Sequence, residues 1–196
     1  MNNIILVLFS IIILFIILIN VEDIKKMKKK NYLSKNYIYL EQLEKFSNNF
    51  MNHLTNKYLL NKNILNKTKK KCIIKLINIW NKNRLHENFN INNKTQTSFT
   101  KNKGKYIKMC LQNKYNYSNS KFLNMLKHVL LHEMAHIICY SYGHTKEFNI
   151  KFKFLIEEAK LAKLHNPINY KIYKSKYCGI NVKYNPYFDY NLPNLQ

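Results

Sequence analysis

The segment His132-Glu133-Met134-Ala135-His136 constrains this chain more than any other stretch, because it forms an H-E-x-x-H motif inside a long apolar run. Residues four apart on an α-helix share a face, so His132 and His136 can direct two imidazoles at one metal ion. Glu133 lies beside the first histidine, where its carboxylate can take a proton from an attacking water. The motif therefore predicts a helical zinc site with a glutamate as general base.

The residues around the motif predict the helix that this spacing requires. Ser118 or Ser120 suits the N-cap, no Pro or Gly interrupts residues 121–142, and Gly143 is typical of a C-terminal cap. Thr145 then suits the N-cap of a second helix, whose apolar stripe predicts packing against the first. Before the motif, residues 95–100 and 106–112 indicate two strands joined by a turn at residues 102–104.

The residues after the motif predict the third metal ligand. Gly143 can reverse the chain, so that His144 folds back over the helix and completes three protein ligands with one open position. Glu157 and Glu158 are alternatives, although their lysine neighbours favour a solvated helix face. His128 lies one turn before the motif, but it is about 12 Å along the axis from the motif's last histidine. We expect it to be a neighbouring or core-edge histidine.

The N-terminal part of the chain has the pattern of an anchor followed by helices. Ile4 to Ile19 is an apolar run of roughly 24 Å as a helix, which two more residues extend to about the thickness of a bilayer core. No basic start or small-residue cleavage site marks it as a signal peptide. The lysines at positions 25–30 place the body in the cytoplasm by the positive-inside rule. Helical patterns then cover residues 37–58 and 72–80, with a polar linker at 61–71 between them, and a strand is the alternative for 72–80.

Charge and cysteine content leave several interpretations open. The net charge is +23, from 33 Lys plus Arg against 10 Asp plus Glu, which is one sign of an anionic partner. The favoured interpretation is a compositional bias, because Asn, Lys, Ile and Tyr are all over-used and all have A/T-rich codons. In addition, Arg84 is the only arginine, and base readers favour arginine, so nucleic acid is a less favoured partner. None of the four cysteines forms a C-x-x-C motif, and in a cytosolic body we expect all of them to stay reduced.

The motif and its sequel resemble the WLM and SprT-like group of zinc metallopeptidases. The resemblance rests on Leu130 to His136 followed by Gly143 to Phe148. The Ser98-Phe99-Thr100 to Cys110-Leu111 segment and the late Tyr177-Cys178-Gly179 are similar to a branch of these proteins encoded by large DNA viruses. The resemblance implies an α+β minimal zincin, in which a small antiparallel sheet packs on the active-site helix and a following helix, preceded by a transmembrane helix.

The resemblance also implies roles for individual residues. His132, His136 and His144 match the ligands of one Zn²⁺ per chain, and Glu133 matches the catalytic base. An edge strand would pair with an extended protein or peptide substrate. The residues expected in that strand are Tyr106, Ile107, Lys108, Met109, Cys110, Leu111 and Gln112.

These observations predict an order of domains and a ranked set of functions. We expect an anchor at 1–21, a basic juxtamembrane linker at 22–36, a helical region at 37–94, a zincin-like core at 95–182 and a tail at 183–196. The favoured function is a single-pass membrane-anchored zinc metallopeptidase with a cytoplasmic body, in a virus-encoded membrane protein. The alternatives are a catalytically inactive zinc-binding zincin that acts as an interaction protein at a membrane, and a basic polyanion-binding protein.

Overall fold

The computed structural model describes residues 36–61, 66–89 and 97–196. The chain divides into two units, Met1–Ile38 and Tyr39–Gln196, and the second contains nearly all of the described residues. The predicted anchor at 1–21 and nearly all of the predicted linker at 22–36 lie outside the described residues. Among the helices that the structure does describe, none is both long enough and apolar enough to cross a bilayer.

Four α-helices make up a little under half of the described residues. Helix α1 covers residues 36–55 and continues into a π-helical turn at Asn56–Leu60. Helices α2, α3 and α4 cover Lys67–Ile79, Asn119–Ile138 and Lys146–Leu161. Each of these three begins at a side-chain cap, in which Asn66, Ser118 or Thr145 accepts a hydrogen bond from the backbone N–H three residues later. Local chemistry therefore fixes where the three helices begin.

Two helix boundaries differ from the sequence prediction. Helix α2 begins at Lys67, inside the stretch 61–71 that was expected to be a linker, because Asn66 caps a run whose buried face begins only at Cys72. Helix α3 ends at Ile138, four residues before the expected end, so Gly143 lies in a loop and is not the C-terminal cap. Lysine side chains that bind the last carbonyl groups of α3 end the helix early.

The sheet beside α3 is mixed, which corrects the prediction of an antiparallel sheet. Its three strands are β1 (Leu85–Glu87), β2 (Phe99–Lys101) and β3 (Tyr106–Met109), in the order β1-β3-β2. Strand β3 pairs antiparallel with β2 and parallel with β1. Three residues are too few to show an alternating pattern, so β1 gave no clear signal in the sequence.

The same topology shows that the expected edge strand is wrongly placed. Tyr106, Ile107, Lys108 and Met109 form the central strand β3, while Cys110, Leu111 and Gln112 follow the strand as irregular chain. Because β3 has a partner on each side, it offers no free edge to a substrate backbone. Strand β2 contacts α3, and among the described residues it pairs with β3 and with no other strand.

The C-terminal segment forms a hairpin that is covalently joined to the end of β3. Strands β4 (Ser175–Tyr177) and β5 (Ile180–Val182) meet at a tight turn, in which Cys178 and Gly179 both have positive φ. A disulfide links Cys178 to Cys110, and Cys72 and Cys139 are free and buried. The expectation of four reduced cysteines is therefore wrong for one pair, because spacing along the chain does not reveal which thiols the fold brings together.

Gly104 provides a test of how closely the β2–β3 turn packs on the helices. Its φ is +107°, and a Cβ at this position would lie 2.6 Å from Ile79 Cγ2. We expect Gly104→Ala to lower the free energy of unfolding by about 1–3 kcal/mol from backbone strain and by a further ~1–3 kcal/mol from overpacking. Gly179→Ala is the matched control, because Gly179 has a φ of +92° but no atom within 4 Å of an added Cβ. Equal losses in urea denaturation would contradict this close packing.

A buried histidine pair predicts acid sensitivity. His128 and His165 stack at 5.9 Å between ring centroids, and burial lowers the pKa of each to about 3. In the unfolded chain each titrates near pH 6.5. Below that pH the unfolded state binds more protons, so the free energy of unfolding falls as the pH falls toward about 3. We expect His165→Leu to reduce this slope by about 1.4 kcal/mol per pH unit between pH 6 and 4.

Urea denaturation at several pH values measures that slope. His86→Leu is the control, because His86 is exposed on β1 and its replacement leaves the buried pair intact. Parallel stability curves for the wild type and His165→Leu would show that His165 does not contribute to the acid sensitivity.

Candidate metal centre

Three histidines converge at the C-terminal half of α3. His132 and His136 lie on one face of the helix, and His144 reaches them from the loop after it. One potential ligand atom from each of the three lies within 4.8 Å of the others, and the Nε2 atoms of His132 and His144 are 3.0 Å apart. The structure thus brings together all three residues that were expected to bind the metal.

The ring of Phe148 packs against all three imidazole rings. It lies in the first turn of α4, is buried, and its ring centroid is 4.8, 4.4 and 4.9 Å from those of His132, His136 and His144. A single aromatic ring therefore contacts every member of the cluster. Because its position on α4 is fixed by the core, it restricts how far each imidazole can rotate.

The chemistry of the three side chains fits a zinc ion. Burial lowers the pKa of His132 well below its usual range and that of His136 to about 4, and the neighbouring histidines add to both shifts. The two imidazoles on α3 are therefore neutral at physiological pH, which is the form that binds metal. A set of three histidine ligands that leaves one position open is typical of catalytic zinc.

The alternative ligands lie elsewhere. Glu158 is buried against α1, where Lys57 donates to both carboxylate oxygens at 2.8 Å and the Tyr58 hydroxyl donates at 2.8 Å. Glu157, its neighbour, lines a cavity beside the same Lys57 and Tyr58. His128 stacks on His165 and also lines the cavity beside the cluster, but it is not one of the three side chains whose ligand atoms converge. Among the described residues, the one group of three or more metal-binding side chains is the histidine cluster.

Glu133 is held in place by Thr100, a strand residue for which the sequence predicted no role in the site. Its carboxylate is buried and accepts a hydrogen bond from Thr100 Oγ1 at 2.7 Å, and the same hydroxyl lies 3.2 Å from the Glu133 carbonyl oxygen. Burial raises the pKa of Glu133 to about 7, against the opposing effect of the Thr100 hydrogen bonds. A carboxylate with this pKa can both accept and release a proton near neutral pH.

The end of α3 is determined by lysines that bind its last carbonyl groups. Lys151 donates to the carbonyl of Ile138 at 3.0 Å, and Lys75 and Lys103 donate to that of Cys139 at 3.2 and 3.1 Å. Lys103 also donates to the carbonyl of residue 141 at 2.6 Å. Cations at the C-terminus of a helix satisfy its free carbonyls and interact favourably with its dipole.

Glu147 fixes the other side of the same loop. Its carboxylate accepts hydrogen bonds from the backbone N–H groups of Tyr140 and Ser141 at 3.0 and 3.1 Å, from the Ser141 hydroxyl at 2.6 Å and from Lys151. Burial opposes ionisation, but these donors together hold the pKa of Glu147 well below its usual range. The one local signal for this role was the spacing of Glu147 and Lys151, which are four residues apart on a helix.

The loop after α3 therefore has a defined path that carries His144 back to the helix. Gly143, with a φ of +76°, lies immediately before that histidine. The tyrosines of this loop, Tyr140 and Tyr142, are exposed. The latter lines a cavity of about 310 Å³ together with His136, Lys103 and Thr100. The β2 strand thus faces the histidine cluster across this cavity.

The chain is similar to proteins of large DNA viruses. It is 35% identical over 86 residues to an uncharacterized protein of Acanthamoeba polyphaga mimivirus, covering 44% of this chain and 43% of that protein. It is 37% identical over 82 residues to one of Invertebrate iridescent virus 6, covering 41% and 44%. A third, from Invertebrate iridescent virus 3, is 32% identical over 107 residues, covering 53% and 58%.

The matched segments span about half the length of these curated relatives. No protein-family model matches the chain, and no solved structure matches it.

Metal content tests the histidine cluster directly. We expect one Zn²⁺ per full-length chain, and we expect His144→Ala to weaken zinc binding more than the roughly 10- to 100-fold that accompanies loss of an outer-shell partner. Glu147→Gln should fall within that smaller range, because it loosens the loop but removes no ligand. His86→Ala is the control, since His86 is exposed on β1. Zinc-competition titration in which His144→Ala matches the wild type would exclude His144 as a ligand.

Proposed function

We propose that this chain is a zinc-dependent metallopeptidase that hydrolyses peptide bonds in protein or peptide substrates. The observation that carries the proposal is the convergence of His132, His136 and His144 beside the buried carboxylate of Glu133. Three histidine ligands and a carboxylate with a pKa near neutrality are the groups that metal-assisted hydrolysis requires.

The chemistry follows from the positions of these side chains. His132, His136 and His144 would hold the ion, which when bound supplies Lewis acidity to a water molecule and to the scissile carbonyl. Glu133 accepts the proton of the attacking water and later delivers it to the leaving amine. Thr100 directs the carboxylate through its 2.7 Å hydrogen bond, so that the base does not have to be reoriented during the reaction.

An extended substrate fits beside β2. This strand pairs with β3 on one side, and residues at its ends, Ser98 and Asn102, line the cavities around the histidine cluster. A peptide that adds to the outer edge of β2 would run directly across His132 and Glu133. Substrate pairing is therefore assigned to this shorter strand next to the cluster, in place of the predicted residues 106–112.

Membrane attachment through residues 1–21 is also part of the proposal, because the apolar run in the sequence is long enough to anchor the chain. The lysines at positions 25–30 favour a cytoplasmic body. The Cys110–Cys178 disulfide favours an oxidising compartment instead. The lysines and the disulfide therefore indicate opposite sides of the membrane for the body of the protein.

Glu133→Gln tests the catalytic assignment. The variant should bind zinc as the wild type does and should cleave an unfolded protein substrate roughly 10²- to 10⁴-fold more slowly, because the general base is lost. Glu157→Gln is the control, since Glu157 lies at the cavity beside α1. Gel-based cleavage and zinc content are measured on the same samples. A Glu133→Gln variant as active as the wild type would rule out this site, and a zinc-bound wild type without activity would favour an inactive zincin.

Substitutions at Thr100 test whether it positions the base. Thr100→Val keeps the shape of the side chain but removes the hydroxyl that donates to Glu133. We expect kcat to fall roughly tenfold with little change in KM, since a donor within hydrogen-bond reach aligns the base without binding substrate. Thr100→Ser should restore most of kcat, because it retains the donor. Equal activity of the Val and Ser variants would show that the hydroxyl has no role.

A further inference from the structure

A second and larger cavity adjoins the histidine cluster on the side away from the loop. Its volume is about 400 Å³, and it shares four lining residues with the smaller cavity: Ser98, His132, Glu133 and His144. Its apolar lining comes from helices α3 and α4 and from strand β5: Val129, Phe148, Phe152, Ile180 and Val182. The smaller cavity is instead lined on its strand side by Thr100, Asn102 and Lys103. The two sides of the cluster therefore differ in chemistry.

The hairpin that forms one wall of the large cavity is firmly attached. Its turn is bonded to the end of β3 through the Cys110–Cys178 disulfide. The Tyr177 hydroxyl donates to the Cys110 carbonyl at 2.7 Å and lies 2.6 Å from Ser98 Oγ. The Cys110 N–H donates to the same Ser98 hydroxyl at 3.0 Å. The wall is thus tied both to β3 and to the residue that precedes β2, so the cavity is formed before a ligand arrives.

We propose that this cavity is a specificity pocket for one large apolar side chain, of the Leu, Met or Phe type, next to the bond that is cleaved. The inference rests on the proposed function, because it assigns a substrate side chain to the same centre. An apolar side chain leaves water for a lining that is mainly aliphatic and aromatic, whereas a polar side chain would lose more hydration than the few polar groups of the wall, such as Asn149 and Lys183, would replace. Pre-formed apolar pockets with few polar groups are typical of ligand sites.

The direction of β2 relates the pocket to the substrate sequence. Thr97, before the strand, lines the large cavity but not the small one, and Asn102 and Lys103, after it, line only the small one. A peptide paired antiparallel to β2 would place the residue after the scissile bond in the large cavity. A peptide paired parallel would place the residue before that bond there. The positions of cleavage sites therefore report the direction of the bound substrate.

Cleavage-site profiling tests the pocket in an active protein. The zinc-loaded full chain digests a peptide library, and mass spectrometry identifies the new ends. We expect Leu, Met and Phe to be enriched at least tenfold over Ser and Asn at one position adjoining the cut. Val182→Phe, which fills the cavity from β5, should shift that preference to smaller residues, and Val129→Phe should do so from α3. Asn181→Phe is the matched control, because adjacent residues of a strand face opposite sides.

Peptide binding tests the pocket independently of catalysis and of metal. Two labelled peptides that differ in one residue, Leu or Ser, are titrated into the metal-free full chain by fluorescence anisotropy. We expect the Leu peptide to bind at least tenfold more tightly, and we expect Val182→Phe but not Asn181→Phe to remove the difference.

The two experiments separate the outcomes. Cleavage without side-chain preference, together with equal binding of the two peptides, would overturn the pocket and leave the peptidase intact. No cleavage, together with a Leu preference that Val182→Phe removes, would support the pocket and overturn the peptidase.

Discussion

The metal centre depends on where helix α3 stops. If α3 continued to Gly143, the chain would leave the helix at His144 with no residues in which to fold back. As the helix ends at Ile138, the Nε2 atoms of His144 and His132 lie 3.0 Å apart. The helix stops at Ile138 because lysines from three different elements bind the next free carbonyls, while Glu147 takes the N–H groups that another turn of helix would use. Part of the chain's large excess of lysine thus serves its own backbone, which reduces the weight of net charge as a sign of a polyanion partner.

Local sequence signals predicted the parts of this fold that depend on neighbours along the chain. The caps at Ser118 and Thr145, and the turn before Gly104, are at the expected positions because each is set by side chains within a few residues. The convergence of the three histidines could also be predicted. Helical spacing puts His132 and His136 on one face of α3, and Gly143 allows the chain to fold back so that His144 reaches them. These features need no knowledge of distant segments.

The features that the sequence did not predict all require contacts between distant residues. Strand β1 lies parallel to β3 although a long stretch of chain separates them, and that pairing is what removes the free edge expected at residues 106–112. The hydroxyl of Thr100 meets Glu133 across 33 positions. The Cys110–Cys178 bond joins thiols that are 68 positions apart. Composition and periodicity carry no information on such pairs, so these parts of the site became visible only with the fold.

The disulfide also gives the chain an unusual connectivity. Residues 110–178 form a closed covalent ring that contains both α3 and α4 and all three histidines of the cluster. A single break of the backbone anywhere in this ring, including the exposed loop that carries His144, opens the ring but leaves both pieces attached to each other. A nicked molecule would therefore keep its mass in a non-reducing gel and separate into two fragments only after reduction. If the protein cuts its own loop, the product can retain every ligand of the centre in one covalent unit.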